Sequence, residues 1–140
     1  MGKLKDDSTR HSIEMDEKEF YSKILNSLYE GLKTENHSKF KNDRLAERKF
    51  AVNDLYPDII LTKKDSDEIE FIIEIVVKSY LNKDVLQKKW KPLSESGPIF
   101  YLLVPKANRN TIENWCNEEK MKFRIGTYEL ISNKLDIKFF

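Results

Sequence analysis

Ile69-Glu-Phe-Ile-Ile-Glu-Ile-Val-Val77 is the most apolar stretch of the chain, and an acidic residue, Glu74, sits within it. Strand alternation puts Phe71, Ile73, Ile75 and Val77 on one face and Ile72, Glu74, Val76 and Lys78 on the other, so the segment reads as a strand buried on both sides. An ionised carboxylate there costs several kcal/mol unless cations or donors compensate it. Asp58, sixteen positions earlier in Tyr56-Pro-Asp-Ile-Ile-Leu61, opens the neighbouring strand. A hairpin register that sets the two carboxylates side by side creates an oxygen site for a hard cation: two carboxylates, a backbone carbonyl and waters can hold Mg²⁺ or Mn²⁺ against a phosphate. Lys78, on the face of Glu74, is placed to stabilise developing negative charge or to orient a water.

Working outward, strands are expected over 46–52, 57–63 and 69–78 as an antiparallel meander, the last two joined by the Lys63-Lys-Asp-Ser-Asp67 turn. Upstream, Asp16 and Glu19 have capping-box spacing, and Phe20, Ile24, Leu25, Leu28 and Leu32 recur as the buried stripe of a helix that ends near Gly31. Residues 1–14 are polar and aperiodic and read as a flexible arm, leaving 15–140 as one domain. Downstream, a helix from Asn82 turns Val85, Leu86, Trp90 and Leu93 inward, with Pro92 expected to kink or end it. Ile99–Val104 is an inner strand, parallel to 69–78 by a right-handed crossover. A helix capped at Asn110 by its Glu113 partner, a strand over 122–130 and a short terminal strand over 135–140 complete the order. The expected fold class is α/β, a mixed central sheet flanked by helices.

The chain of 140 residues suffices for one core without staples, and its 25 basic against 24 acidic residues create no global field to attract nucleic acid. A nucleic-acid partner must therefore be argued locally. Lys39 and Lys41 with Arg44, Arg48 and Lys49, and Lys88, Lys89 and Lys91 around Trp90, are segments that can track a phosphate backbone, although solvated faces explain them as well. The lone Cys116 and the polar first residues imply a cytoplasmic protein, and no apolar run is long enough to span a membrane. His11, His37 and Cys116 have no zinc-ligand spacing, and the four glycines form no phosphate loop.

Pro57-Asp58, a hairpin-length gap and Glu74 in an apolar strand resemble the PD-(D/E)XK nuclease superfamily, and the element order resembles its common core over about residues 16–130. The resemblance extends to small uncharacterised members in which this strand is followed by a helix bearing a Trp, here Trp90, and by a strand like Phe100-Tyr-Leu-Leu-Val-Pro105. It implies a restriction-endonuclease-like fold and a divalent-metal-dependent nuclease, with Asp58 and Glu74 as metal ligands, Mg²⁺ or Mn²⁺ as cofactor, DNA or RNA as partner and, by analogy, a homodimer. The lysine that the superfamily carries two residues after the Glu is missing, because Val76 stands there. Lys78 is the substitute on the same strand, and Lys83 and Lys89 on the next helix are within reach. The rival readings are a catalytically silent nucleic-acid-binding or protein-interaction module that keeps the fold, and a structural domain in which Glu74 is an ion-paired core residue.

Overall fold

The computed structural model describes residues 2–46 and 48–140, with 2–16 as backbone alone. Helix α1 spans Gly2–Gly31. Strands β1 (His37–Lys41), β2 (Ile59–Lys63) and β3 (Ile69–Ile75) follow. The helical turns α2 (Lys83–Val85) and α3 (Lys91–Ser94) flank a wider π-turn at Leu86–Trp90. Then come β4 (Ile99–Pro105), α4 (Arg109–Glu118), β5 (Arg124–Ile131) and β6 (Lys134–Phe139). One six-stranded sheet takes the strands in chain order. The pairs β3–β4 and β4–β5 are parallel, each joined through a helical crossover, and the remaining pairs are antiparallel. The protein is thus a mixed α/β structure, and the expected antiparallel β2–β3 hairpin and parallel β3–β4 pair are both present.

Strand alternation divides the core into two layers. Ile59, Leu61, Ile73, Ile75 and Leu103 pack beneath Tyr21, Ile24, Leu25 and Leu28 of α1. On the opposite face Ile60, Ile72, Val76, Leu102 and Val104 meet Leu86, Trp90, Leu93, Ile112 and Cys116. Glu74 belongs by phase to this second face, among residues that are wholly apolar.

Several boundaries differ from the sequence expectation. Helix α1 is continuous from Gly2, so helical backbone covers the segment 2–14 expected to be an arm, and Asp16 lies inside the helix instead of starting it. Among the described residues of 46–52 no strand forms, and Val52 makes an isolated bridge to Leu55. The first strand is His37–Lys41, an edge strand whose half-buried sequence carries one apolar residue, Phe40, and so shows no alternation. His37 opens β1 and contacts Glu70 at 2.9 Å. The 42–58 segment is organised instead by the buried Asn42, whose Oδ1 accepts from the backbone N–H groups of Lys49 and Phe50 and whose Nδ2 donates to the carbonyls of Phe50 and Pro57. Strand β3 stops at Ile75, and Lys78 begins a short 3₁₀ turn, Lys78–Tyr80. Asn82 does cap α2, accepting from the Val85 N–H. Pro92 does not end the helical path: it occupies the first turn of α3, where its missing N–H is harmless, and the change of register occurs before it, in the π-turn. Helix α4 starts at Arg109, so Asn110 is not its cap, and Glu113 pairs with Arg109. Among the described residues no helix is long and apolar enough to cross a membrane.

Asn42→Ala removes four side-chain hydrogen bonds at a buried position, leaving backbone donors and acceptors unpaired. The expected loss is about 3 kcal/mol, with each orphaned group costing roughly 1–3 kcal/mol, read by urea denaturation. A loss below about 1 kcal/mol would show that this segment is not keyed by Asn42.

Candidate functional site

The β2–β3 register sets Ile59 opposite Ile73 and Ile60 opposite Ile72, so Asp58, one residue before β2, falls opposite Glu74. The two carboxylates expected to converge therefore do so, at the end of the sheet where β3 finishes. Both are fully buried. Asp58 is bonded on each oxygen: Oδ1 accepts from the Tyr21 hydroxyl at 2.6 Å, and Oδ2 accepts from the Ile75 N–H at 2.6 Å and from Arg44 Nη2 at 2.6 Å. Glu74 is held less completely. Its Oε2 lies 2.8 Å from Lys89 Nζ and 3.5 Å from Arg44 Nη2. Lys89 Nζ stands at the distance of a charge-assisted contact to Oε2, while Oε1 is buried with no donor.

Arg44 Nη2 is the point on which the site converges. Besides donating to Asp58 and pairing with Glu74 by charge, it donates to the carbonyl of Ile75 at 2.5 Å. Three oxygens, from Asp58, Glu74 and the backbone of Ile75, thus surround one nitrogen, while Nε and Nη1 of the same guanidinium are buried without acceptors. The guanidinium lies between two aromatic rings, its Cζ 4.7 Å from the Tyr21 centroid and 4.1 Å from that of Tyr80. It also lines a cavity of about 230 Å³ with Lys18, Tyr21, Ser79 and Tyr80.

These contacts fix the charge states. Burial, and after it the Asp58 charge, pushes the Glu74 carboxyl up to about 7, while Arg44 and Lys89 pull it back. Desolvation opposes the Arg44 charge, but Asp58 and Glu74 outweigh it and hold the guanidinium above its ordinary pKa. Burial, reinforced by Asp58, raises Tyr21 and keeps its hydroxyl a donor.

Of the residues singled out in the sequence, Asp58 and Glu74 come together and Lys78 does not join them. Lys78 is exposed and lines a separate crevice with Phe20, Leu81, Pro105 and Tyr128, because β3 ends before strand phase can carry it to the Glu74 face. Lys83 turns toward the Trp115 ring. Lys89 arrives instead, its side chain 18% exposed, from within the π-turn. Val76, in the usual lysine position, is fully buried in the apolar layer with Trp90. Tyr21 and Arg44 were not foreseen in these roles. Tyr21 shares the spacing of Ile24, Leu25 and Leu28 and was legible as part of that stripe, whereas Arg44, grouped in sequence with a phosphate-tracking segment, is buried against carboxylates far along the chain.

Two carboxylates and a backbone carbonyl are oxygens of the kind that Mg²⁺ takes together with waters. Here Arg44 Nη2 stands among them, and among the described residues no group of three or more His, Cys, Asp or Glu converges. The chain matches no protein-family model, no curated protein and no solved structure.

Because folding raises the Glu74 pKa from 4.5 to about 7, the folded state binds the extra proton across that interval and the ionised form costs stability as pH rises through it. In chelator-containing buffer, the melting temperature of Glu74→Gln minus that of wild type should therefore increase from pH 5 to pH 7 and level off above. A difference that stays flat over this range would mean that Arg44 and Lys89 keep Glu74 ionised throughout.

Proposed function

We propose that the chain is a divalent-metal-dependent phosphodiester hydrolase, a nuclease built on a restriction-endonuclease-like core. The observation that carries this reading is the convergence of Asp58 Oδ2, Glu74 Oε2 and the Ile75 carbonyl on a single point within 2.5–3.5 Å. The buried Oε1 of Glu74, which has no donor, adds to it, since a carboxylate oxygen without a partner can take a further cation contact. Asp58, Glu74 and the Ile75 carbonyl would hold Mg²⁺ or Mn²⁺, and the ion would supply Lewis-acid polarisation of a phosphate oxygen and activation of a water. Tyr21 and the Ile75 N–H fix the Asp58 rotamer. Lys89 takes the role that the superfamily assigns to the lysine absent at Val76: its ammonium, 2.8 Å from Glu74, is placed to stabilise charge developing on the phosphate or to orient the attacking water. The order of the first five strands, with antiparallel β1–β2–β3 and parallel β3–β4–β5, supports the same core.

One observation favours the second reading, a catalytically silent nucleic-acid-binding or protein-interaction module. Arg44 and Lys89 together already balance the two carboxylates, with Arg44 Nη2 standing where a metal would.

Two measurements separate the readings. Mg²⁺ or Mn²⁺ at about 100 times its dissociation constant should stabilise the fold by about 2.7 kcal/mol, and Asp58→Ala and Glu74→Ala should lose this response. In a panel of single- and double-stranded DNA and RNA, at least one substrate should be cleaved in the presence of the ion. Lys89→Ala should lower cleavage by about 10²-fold or more, the usual span of a positioned acid–base or charge-stabilising group, and Lys78→Ala by much less. Absence of both the thermal response and cleavage would favour the silent module.

A further inference from the structure

We propose that Arg44 is a built-in competitor for the cation position, so that a divalent ion enters only as the guanidinium leaves and Arg44 sets the concentration and kind of ion that the site accepts. The inference rests on reading the carboxylate pair as a metal site. It goes beyond that reading by assigning a residue that opposes loading.

The geometry is one of mutual exclusion. Nη2 lies 2.6 Å from Asp58 Oδ2 and 2.5 Å from the Ile75 carbonyl, and an ion sharing these oxygens would occupy the same volume. Coulomb repulsion adds to the steric conflict, because a guanidinium and a divalent cation cannot share a buried, low-dielectric site cheaply.

Arg44 is also poorly fitted as a permanent structural partner. An arginine that stabilises a buried carboxylate usually engages it through its fork, with two parallel N–H bonds. Here one nitrogen does all the bonding, and the buried Nε and Nη1 have no acceptor. Leaving is therefore less costly than breaking a bidentate pair. The route is short, since Arg44 already lines the cavity of about 230 Å³ with Tyr21 and Tyr80, whose ring faces its guanidinium already contacts. Its backbone lies in the irregular 42–58 connection, so its side chain can move without disturbing a strand.

Exchange also changes the charge of the site. Asp58 and Glu74 are balanced by Arg44 and Lys89, giving a neutral cluster. Replacing one guanidinium charge by a divalent ion leaves one positive charge over, which suits an anionic phosphodiester. A monovalent ion brings no such gain and must displace a cation of equal charge that already has its hydrogen bonds, so the competitor discriminates by charge.

The test is isothermal titration of the full chain with MnCl₂, comparing wild type, Arg44→Met, Arg44→Lys and Glu74→Ala. Arg44→Met keeps the bulk of the stem and removes the charge, and should bind Mn²⁺ at least tenfold more tightly than wild type. Arg44→Lys should fall between them, and Glu74→Ala should not bind. Arg44→Met should also melt lower than wild type in chelator and recover more on adding the ion. Equal or weaker Mn²⁺ binding by Arg44→Met, with wild type still binding, overturns the competitor while leaving the metal site standing; no binding by any of them overturns both. If Arg44→Met does not fold, wild type decides alone. The side-chain Nε–H resonance of Arg44, identified by its absence from Arg44→Lys, should shift during MgCl₂ titration in step with the thermal response. A resonance that stays fixed while the ion binds shows that the guanidinium does not leave, and overturns the proposal.

Discussion

Two carboxylates buried side by side at the end of a sheet cannot both be ionised without cations, and much of the structure around them can be understood as the supply of those cations and donors. Asp58 and Glu74 have no access to solvent. The compensating groups come from four directions: Tyr21 from α1 on one face, Lys89 from the π-turn on the other, the Ile75 N–H from the strand itself and Arg44 from the connection between β1 and β2. The compensation is uneven. Asp58 is satisfied on both oxygens, but Glu74 Oε1 has no donor, and burial, followed by the Asp58 charge, raises the Glu74 pKa even beside two cations.

The sheet explains why the pair forms where it does. Asp58 enters β2 as Glu74 nears the end of the antiparallel β3, so both lie at the edge where the parallel strands β3 and β4 finish. In open α/β sheets the carboxyl ends of parallel strands are the usual place for ligands, because the helices that follow diverge there and leave a crevice. The Tyr21–Arg44–Tyr80 cavity opens at this end.

Much of this frame was legible in the sequence because it rests on local period. Strand alternation through 69–77 assigned Ile72, Glu74 and Val76 to one layer correctly, and the antiparallel hairpin with Asp58 followed from the turn between the two apolar runs. What failed was local signal of the wrong kind. Residues 46–52 look strand-like, but Asn42 captures the backbone groups that a strand partner would have used. His37–Lys41 pairs with β2 through its backbone while its side chains carry almost no apolar pattern. Lys78 kept the correct phase on paper, but the strand ended before phase applied. Arg44 could not be placed from sequence at all, since an arginine in an irregular connection carries no periodic clue to its partner.

Lys89 shows how a charge can reach a point that the strand itself keeps apolar. Val76 completes the layer that holds Trp90, Leu86 and Leu102, and the positive charge beside Glu74 comes from the covering helical segment. In a π-turn the backbone closes one residue later than in an α-turn, which rotates the side chains that follow relative to a regular helix. Leu86 and Trp90, which bound that turn, are both buried, while Lys89 between them turns its ammonium to Glu74. The irregular turn therefore serves packing and charge together: it keeps the large apolar residues in the core and directs one lysine to the buried carboxylate, and it leads into α3 at a register that accepts Pro92.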